Sequence, residues 1–197
     1  MKLLFWLTQL LITVMLVITC AISSDMVSYP KSYPEHVHKT LFIDRNFNEA
    51  EIVYITLAAA EWNEKTGHIV DFEVALLPTS KEITLDNSII FVKVGPDYPN
   101  ILLLDQATTG YILGLYQDEP MPNIELVAAR LGDRYFKSVV LHELGHALGL
   151  EHVKGVEGIG TLMYPSANLG ADNITPDDLE HFCKLYKCDA KTLQKSN

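Results

Sequence analysis

The chain has 197 residues, 48% of them hydrophobic, and a formal net charge of −10. That length supports one well-buried core and leaves little for a second domain. So acidic a body repels nucleic acid and anionic lipid, and no basic run reverses this locally, which leaves polypeptide or another neutral or cationic partner.

Met1 and Lys2 precede an apolar run from Leu3 to Thr19, broken by Thr8, Gln9 and Thr13, and Cys20-Ala21-Ile22-Ser23-Ser24 follows. One positive charge, an apolar core and a small-residue exit make the layout of a secretory signal over residues 1–23. Val17-Ile18-Thr19-Cys20 also resembles a lipoprotein signal, with Thr19 where that pattern prefers a smaller residue. Three fates stay open: cleavage after Ala21 or Ser23, lipidation of Cys20, or retention as a single membrane-spanning anchor. The expectation is an exported protein, secreted or periplasmic, that meets a membrane only through an uncleaved or lipidated N-terminus. Residues 24–36, with Pro30 and Pro34, read as a linker, residues 37–190 as the folded domain and 191–197 as a tail.

Within the domain, Val37 to Ile43 alternates like a strand and Asp44 to Asn48 reads as a turn. Ile52, Ile55, Ala59 and Trp62 recur at steps of three and four, predicting a helix over 49–66 that Gly67 ends. Strand-like runs come at Ile69–Leu77, Ile89–Val94, Gly110–Tyr116 and Ile124–Leu131, between turns rich in Pro, Gly, Asn and Asp. A second helix is expected from near Asp133, burying Phe136, Val139, Val140, Leu144 and Leu148 before Gly149. A third begins with Thr175 as cap and Pro176 in the first turn, where Asp177 and Asp178 face the positive end of the helix dipole. The fold class expected is α+β.

Cys183 and Cys188 are the cysteines outside the signal region. In an oxidising compartment they are expected to pair, which requires the third helix to end near Tyr186, because an unbroken helix holds residues five apart too far from each other.

The chemistry is concentrated in His142-Glu143-Leu144-Gly145-His146-Ala147-Leu148-Gly149-Leu150-Glu151-His152. Histidines four apart leave one helix face together and can reach one metal ion. Gly149 can adopt the positive φ that lets the chain turn back sharply, bringing His152 as third ligand. Three neutral nitrogens leave one corner of a tetrahedral zinc ion open, the arrangement of a catalytic rather than a structural site. Glu143, one step round from His142, stands where a general base belongs. H-E-x-x-H alone arises by accident in roughly one chain of this size in two hundred, whereas the added Gly and His lower that to the order of one in a hundred thousand. The longer pattern decides for a metal site.

The same residues, followed by Leu162-Met163-Tyr164-Pro165, resemble the metzincin signature. Ile174-Thr175-Pro176-Asp177-Asp178-Leu179, running to Leu185-Tyr186, makes the chain most similar to the matrixins, the matrix metalloproteinase family, in their small microbial-type form, over most of residues 37–187. The resemblance implies a twisted, mixed five-stranded sheet with an antiparallel edge strand, two long helices packed on it, and a C-terminal helix. It makes Met163 the floor under the ligands, residues 110–116 the edge strand that receives an extended substrate, and residues 153–170 the wall of a substrate pocket. One catalytic zinc is expected; calcium stays open, because His68 and Asp71 do not reproduce the spacing of the additional ion sites of animal relatives. Val153 stands where matrixins commonly have Ser, and Tyr164 is assigned no catalytic part. His36, His38, His68 and His181 read as surface positions, with His36 and His38 a weaker metal candidate on one strand face.

The function these readings predict is an exported, monomeric zinc endopeptidase acting on proteins or peptides, with the cleavage preference left open. The alternatives are a metzincin-scaffold binding module without turnover and a peptidase restricted to one partner.

Overall fold

In the computed structural model, residues 36–78, 87–97 and 113–195 are described. The chain divides into residues 1–33 and 34–197, and the elements below belong to the second unit. The signal sequence, Cys20 and residues 24–35 of the linker lie outside the described residues, as do positions 110–112 of the expected edge strand.

The elements run β1 (Val37–Ile43), α1 (Glu49–Lys65), β2 (Val70–Leu76), β3 (Ser88–Lys93), β4 (Gly114–Gln117), β5 (Asn123–Leu126), α2 (Ala128–Ala147), α3 (Pro176–Tyr186) and α4 (Ala190–Lys195). The five strands form one sheet in the order β2-β1-β3-β5-β4. β1 pairs in parallel with β2 and β3, and β3 with β5, whereas β4 runs antiparallel to β5 at the rim. This is the mixed sheet that the resemblance implies. The first four residues of β3, Ser88 to Phe91, are all buried, as an inner parallel strand covered on both faces requires.

α1 starts at a capping box: the Asn48 side chain accepts from the Glu51 N–H, and the Glu51 carboxylate accepts from the Asn48 N–H. Its buried residues Ile55, Ala58, Ala59 and Trp62 form the helix side of the core. Trp62 also donates its indole N–H to the Leu141 carbonyl at 3.0 Å, fastening α1 to α2 one residue before His142.

Two expectations shift. The run Ile124–Leu131 is strand only as far as Leu126, and from Ala128 it is helix. The ladder to β4 ends where the Val127 N–H meets the Leu113 carbonyl, and Ala128, Ala129 and Arg130 are good helix formers. Periodicity over so few apolar residues does not separate the two states. The helix expected from Asp133 therefore begins earlier, but Gly132, at φ 54° and ψ 170°, kinks it, and its long segment resumes at Asp133. Residues 190–195, which reach from the expected domain into the expected tail, form α4, whose Leu193 is buried; a β-carbon on Gly67 would stand 3.0 Å from Leu193 Cδ2.

α3 has the expected cap, with the Thr175 side chain accepting from the Asp178 N–H. It ends at Tyr186, Lys187 turns left-handed at φ 56°, and Cys183 and Cys188 form the disulfide. Among the described residues no helix is long and apolar enough to cross a membrane.

Candidate metal centre

The end of α2 builds the site. His142 and His146 leave one face of the helix, which closes in a Schellman turn: Leu150 N–H donates to the Gly145 carbonyl at 3.0 Å and Gly149 N–H to the His146 carbonyl at 2.9 Å. Gly149 takes φ 86°, a value that disfavours any residue with a β-carbon. The reversed chain brings His152 back so that its Nε2 lies 3.0 Å from His142 Nε2 and 3.1 Å from His146 Nε2. Among the described residues this is the one cluster of three or more groups able to hold an ion.

The outer face of each helical ring is fixed by backbone. His142 Nδ1 lies 2.7 Å from the Leu162 carbonyl and His146 Nδ1 lies 2.8 Å from the Leu150 carbonyl. A carbonyl can only accept, so both Nδ1 atoms carry the proton and both Nε2 lone pairs point inward. Two lone pairs aimed at one point repel unless a cation stands between them. Burial lowers the pKa of all three rings, to about 3 for His142 and about 4 for His152, with charge repulsion from His146 adding to both. The rings are thus neutral near pH 7, the form that binds metal. Nitrogens around a tetrahedral zinc stand roughly 3.3 Å apart, from Zn–N bonds of about 2.05 Å, so the observed separations fit the ion after an opening of a few tenths of an ångström.

Met163 is fully buried in contact range of α2: a β-carbon built on Gly145 would meet Met163 Sδ at 2.5 Å. The turn carrying it is held by Asp178, whose buried carboxylate accepts from the N–H groups of Leu162 (2.9 Å), Met163 (3.2 Å) and Thr175 (2.9 Å). One side chain therefore caps α3, fixes the methionine and holds the segment whose Leu162 carbonyl orients His142.

The Glu143 side chain lies against β4. Its carboxylate Oε2 accepts from the Tyr116 N–H at 2.9 Å, and its side chain lies over Gly114. Burial pushes the carboxyl up to about 8, partly offset by the Tyr116 N–H, which favours the charged form. His38 lies elsewhere, on the sheet, with Nδ1 3.0 Å from Asp71 Oδ2.

Four contributors are not marked by the sequence pattern. Asp178 reads as a dipole partner in the sequence, although its place three residues after Thr175 fits a capping box. The Leu150 and Leu162 carbonyls, and the Tyr116 amide, are backbone groups that no residue-type pattern marks.

Residues 129–187 match the family model described as Peptidase_M10, matrixin. No curated protein matches the sequence. Among solved structures the chain is similar to an archaemetzincin from Methanopyrus kandleri, at 15% identity and TM-score 0.49, over 78% of this chain and 97% of that one. It is also similar to high choriolytic enzyme 1, a hatching-enzyme zinc protease from the medaka fish Oryzias latipes, at 15% identity and TM-score 0.46, over 84% and 98%. The matrixin match covers most of α2, the turn after it and all of α3, and it is within this segment that the three ring nitrogens converge.

Proposed function

We propose that the protein is an exported endopeptidase in which Glu143 is the general base. The observation that carries this reading is the buried carboxylate of Glu143, which follows His142 directly in the helix and is anchored by the Tyr116 amide on the sheet rim. His142, His146 and His152 would hold a zinc ion, which when bound would supply Lewis acidity for the scissile carbonyl and for an attacking water. Glu143 takes the proton from that water and passes it to the leaving amine nitrogen. The carbonyls of Leu162 and Leu150 keep the first two rings aimed, while β4 lies at the rim of the sheet, where an extended peptide can add as a further strand. Turnover of casein and of a peptide library is expected, and Glu143→Ala should lower it by about a hundredfold or more. A chelator should abolish it, and added zinc should restore it. Cleavage that survives the alanine substitution removes Glu143 from the mechanism. A narrow cleavage profile across the library would mark a partner-restricted peptidase, and none at all a binding module.

Export rests on Lys2, the apolar run after it and the small residues 20–24. Mass spectrometry of the mature N-terminus tests it: a new terminus after Ala21 or Ser23, or a diacylated Cys20, is expected, and an intact Met1 in the cytoplasmic fraction refutes it.

A further inference from the structure

Among the described residues β4 lies at the end of the strand order and pairs with β5 alone. Because the Val127 N–H donates to the Leu113 carbonyl, the alternation of an antiparallel ladder turns the amides of Leu113, Leu115 and Gln117 toward β5. Those of Gly114 and Tyr116 face the open side. One of these outward donors is engaged, since the Tyr116 N–H bonds Glu143 Oε2. At the other, the helix comes unusually close: a β-carbon built on Gly114 would stand 2.8 Å from Glu143 Cγ, 2.8 Å from Glu143 Oε1 and 2.8 Å from Val139 Cγ1. Val139 and Glu143 are four apart and both buried, so α2 lays this face directly on bare strand backbone.

We infer that Gly114 and the Tyr116 amide together position the Glu143 carboxylate, the amide fixing Oε2 and the missing side chain leaving room for Oε1, so that Oε1 is the oxygen offered to the reacting proton. The inference rests on Glu143 being the base. Gly114 is here a positioning residue that touches no substrate atom in this role. Its φ is not positive, so the requirement for glycine is one of space rather than of backbone angle.

Amide hydrogen exchange on the metal-free full chain tests the anchoring without any turnover. The Tyr116 amide, though on an open sheet edge, should exchange about tenfold or more slowly than an unbonded one. Glu143→Gln, which keeps an acceptor oxygen, should preserve that protection, and Glu143→Leu should abolish it. Gly114→Ala should release the amide and lower kcat by about 10- to 100-fold, the usual consequence of displacing a catalytic group by about 1 Å. KM and zinc affinity, measured against a competing chelator, should stay within about threefold of wild type, because no ligand has moved. Unchanged Tyr116 exchange in Glu143→Leu overturns the anchoring, and so does Gly114→Ala with full kcat. Should Gly114→Ala fail to fold, the exchange of Glu143→Leu still decides. Full turnover in Glu143→Gln, with the exchange pattern intact, overturns the base assignment and with it the part given to Oε1.

Discussion

Asp178→Ala should be among the most damaging single substitutions outside the metal ligands. The carboxylate is fully buried and accepts from the amides of Leu162, Met163 and Thr175. Removing it leaves the first two without a partner in a dry site, at roughly 1–3 kcal/mol each. Losing the capping contact with Thr175 adds about 1 kcal/mol. The sum is about 3–7 kcal/mol, which lowers the melting temperature by about 10 °C or more for a domain of this size. The harm should reach the metal as well, because the Leu162 carbonyl holds the proton of His142 Nδ1. Urea denaturation with and without zinc, together with zinc affinity by chelator competition, measures both effects. Asp178→Asn keeps the shape but can turn a donor toward donors, so it should fall between wild type and alanine. A loss below about 1 kcal/mol in Asp178→Ala, with zinc affinity unchanged, would refute the account of this carboxylate as the clamp of the methionine turn.

Stripped of metal, the protein should be most stable at about pH 6.5–7, falling away on both sides. On the acid side the unfolded histidines take up protons near 6.5, while the folded rings, lowered to about 3 and 4, do not. Stability is therefore lost as pH falls through that window. On the alkaline side the folded Glu143, raised to about 8, keeps a proton that the unfolded carboxyl has released, so stability declines as pH rises toward 8. Urea midpoints of the apoprotein across this range, with Glu143→Gln expected to lose the alkaline limb, check the signs, and a flat profile contradicts them. Reducing Cys183–Cys188, which are separated by five positions, should cost about 2 kcal/mol by loop entropy, read as a shift in urea midpoint. Gly145→Ala should destabilise despite a helix-propensity gain of about 1 kcal/mol, because its β-carbon meets Met163 Sδ. A raised melting temperature would show that Met163 moves aside freely.

Much of the site was legible because its chemistry depends on residue type. Fixed spacing placed His142, His146, Gly149 and His152, and the structure brings the three rings together through the turn that Gly149 allows. α1 and α3 were legible from apolar periodicity and from Thr175-Pro176. What stayed hidden depends on tertiary contact. The strand-to-helix change after Val127 turns on where β4 stops pairing, which no local propensity reports. Gly114 reads as an ordinary strand glycine until α2 is laid over it, and Asp178 reads as a helix-start acid until the methionine turn arrives beneath it.

The two carbonyls that hold the rings of His142 and His146 come from Leu162 and Leu150, both C-terminal to the helix that carries those histidines. A nascent α2 alone would therefore present imidazoles free to rotate and to exchange tautomers. Metal capture at full affinity must wait until residues 150–163 have docked, which places it late in folding and makes the ion a lock on a finished structure rather than a nucleus for it.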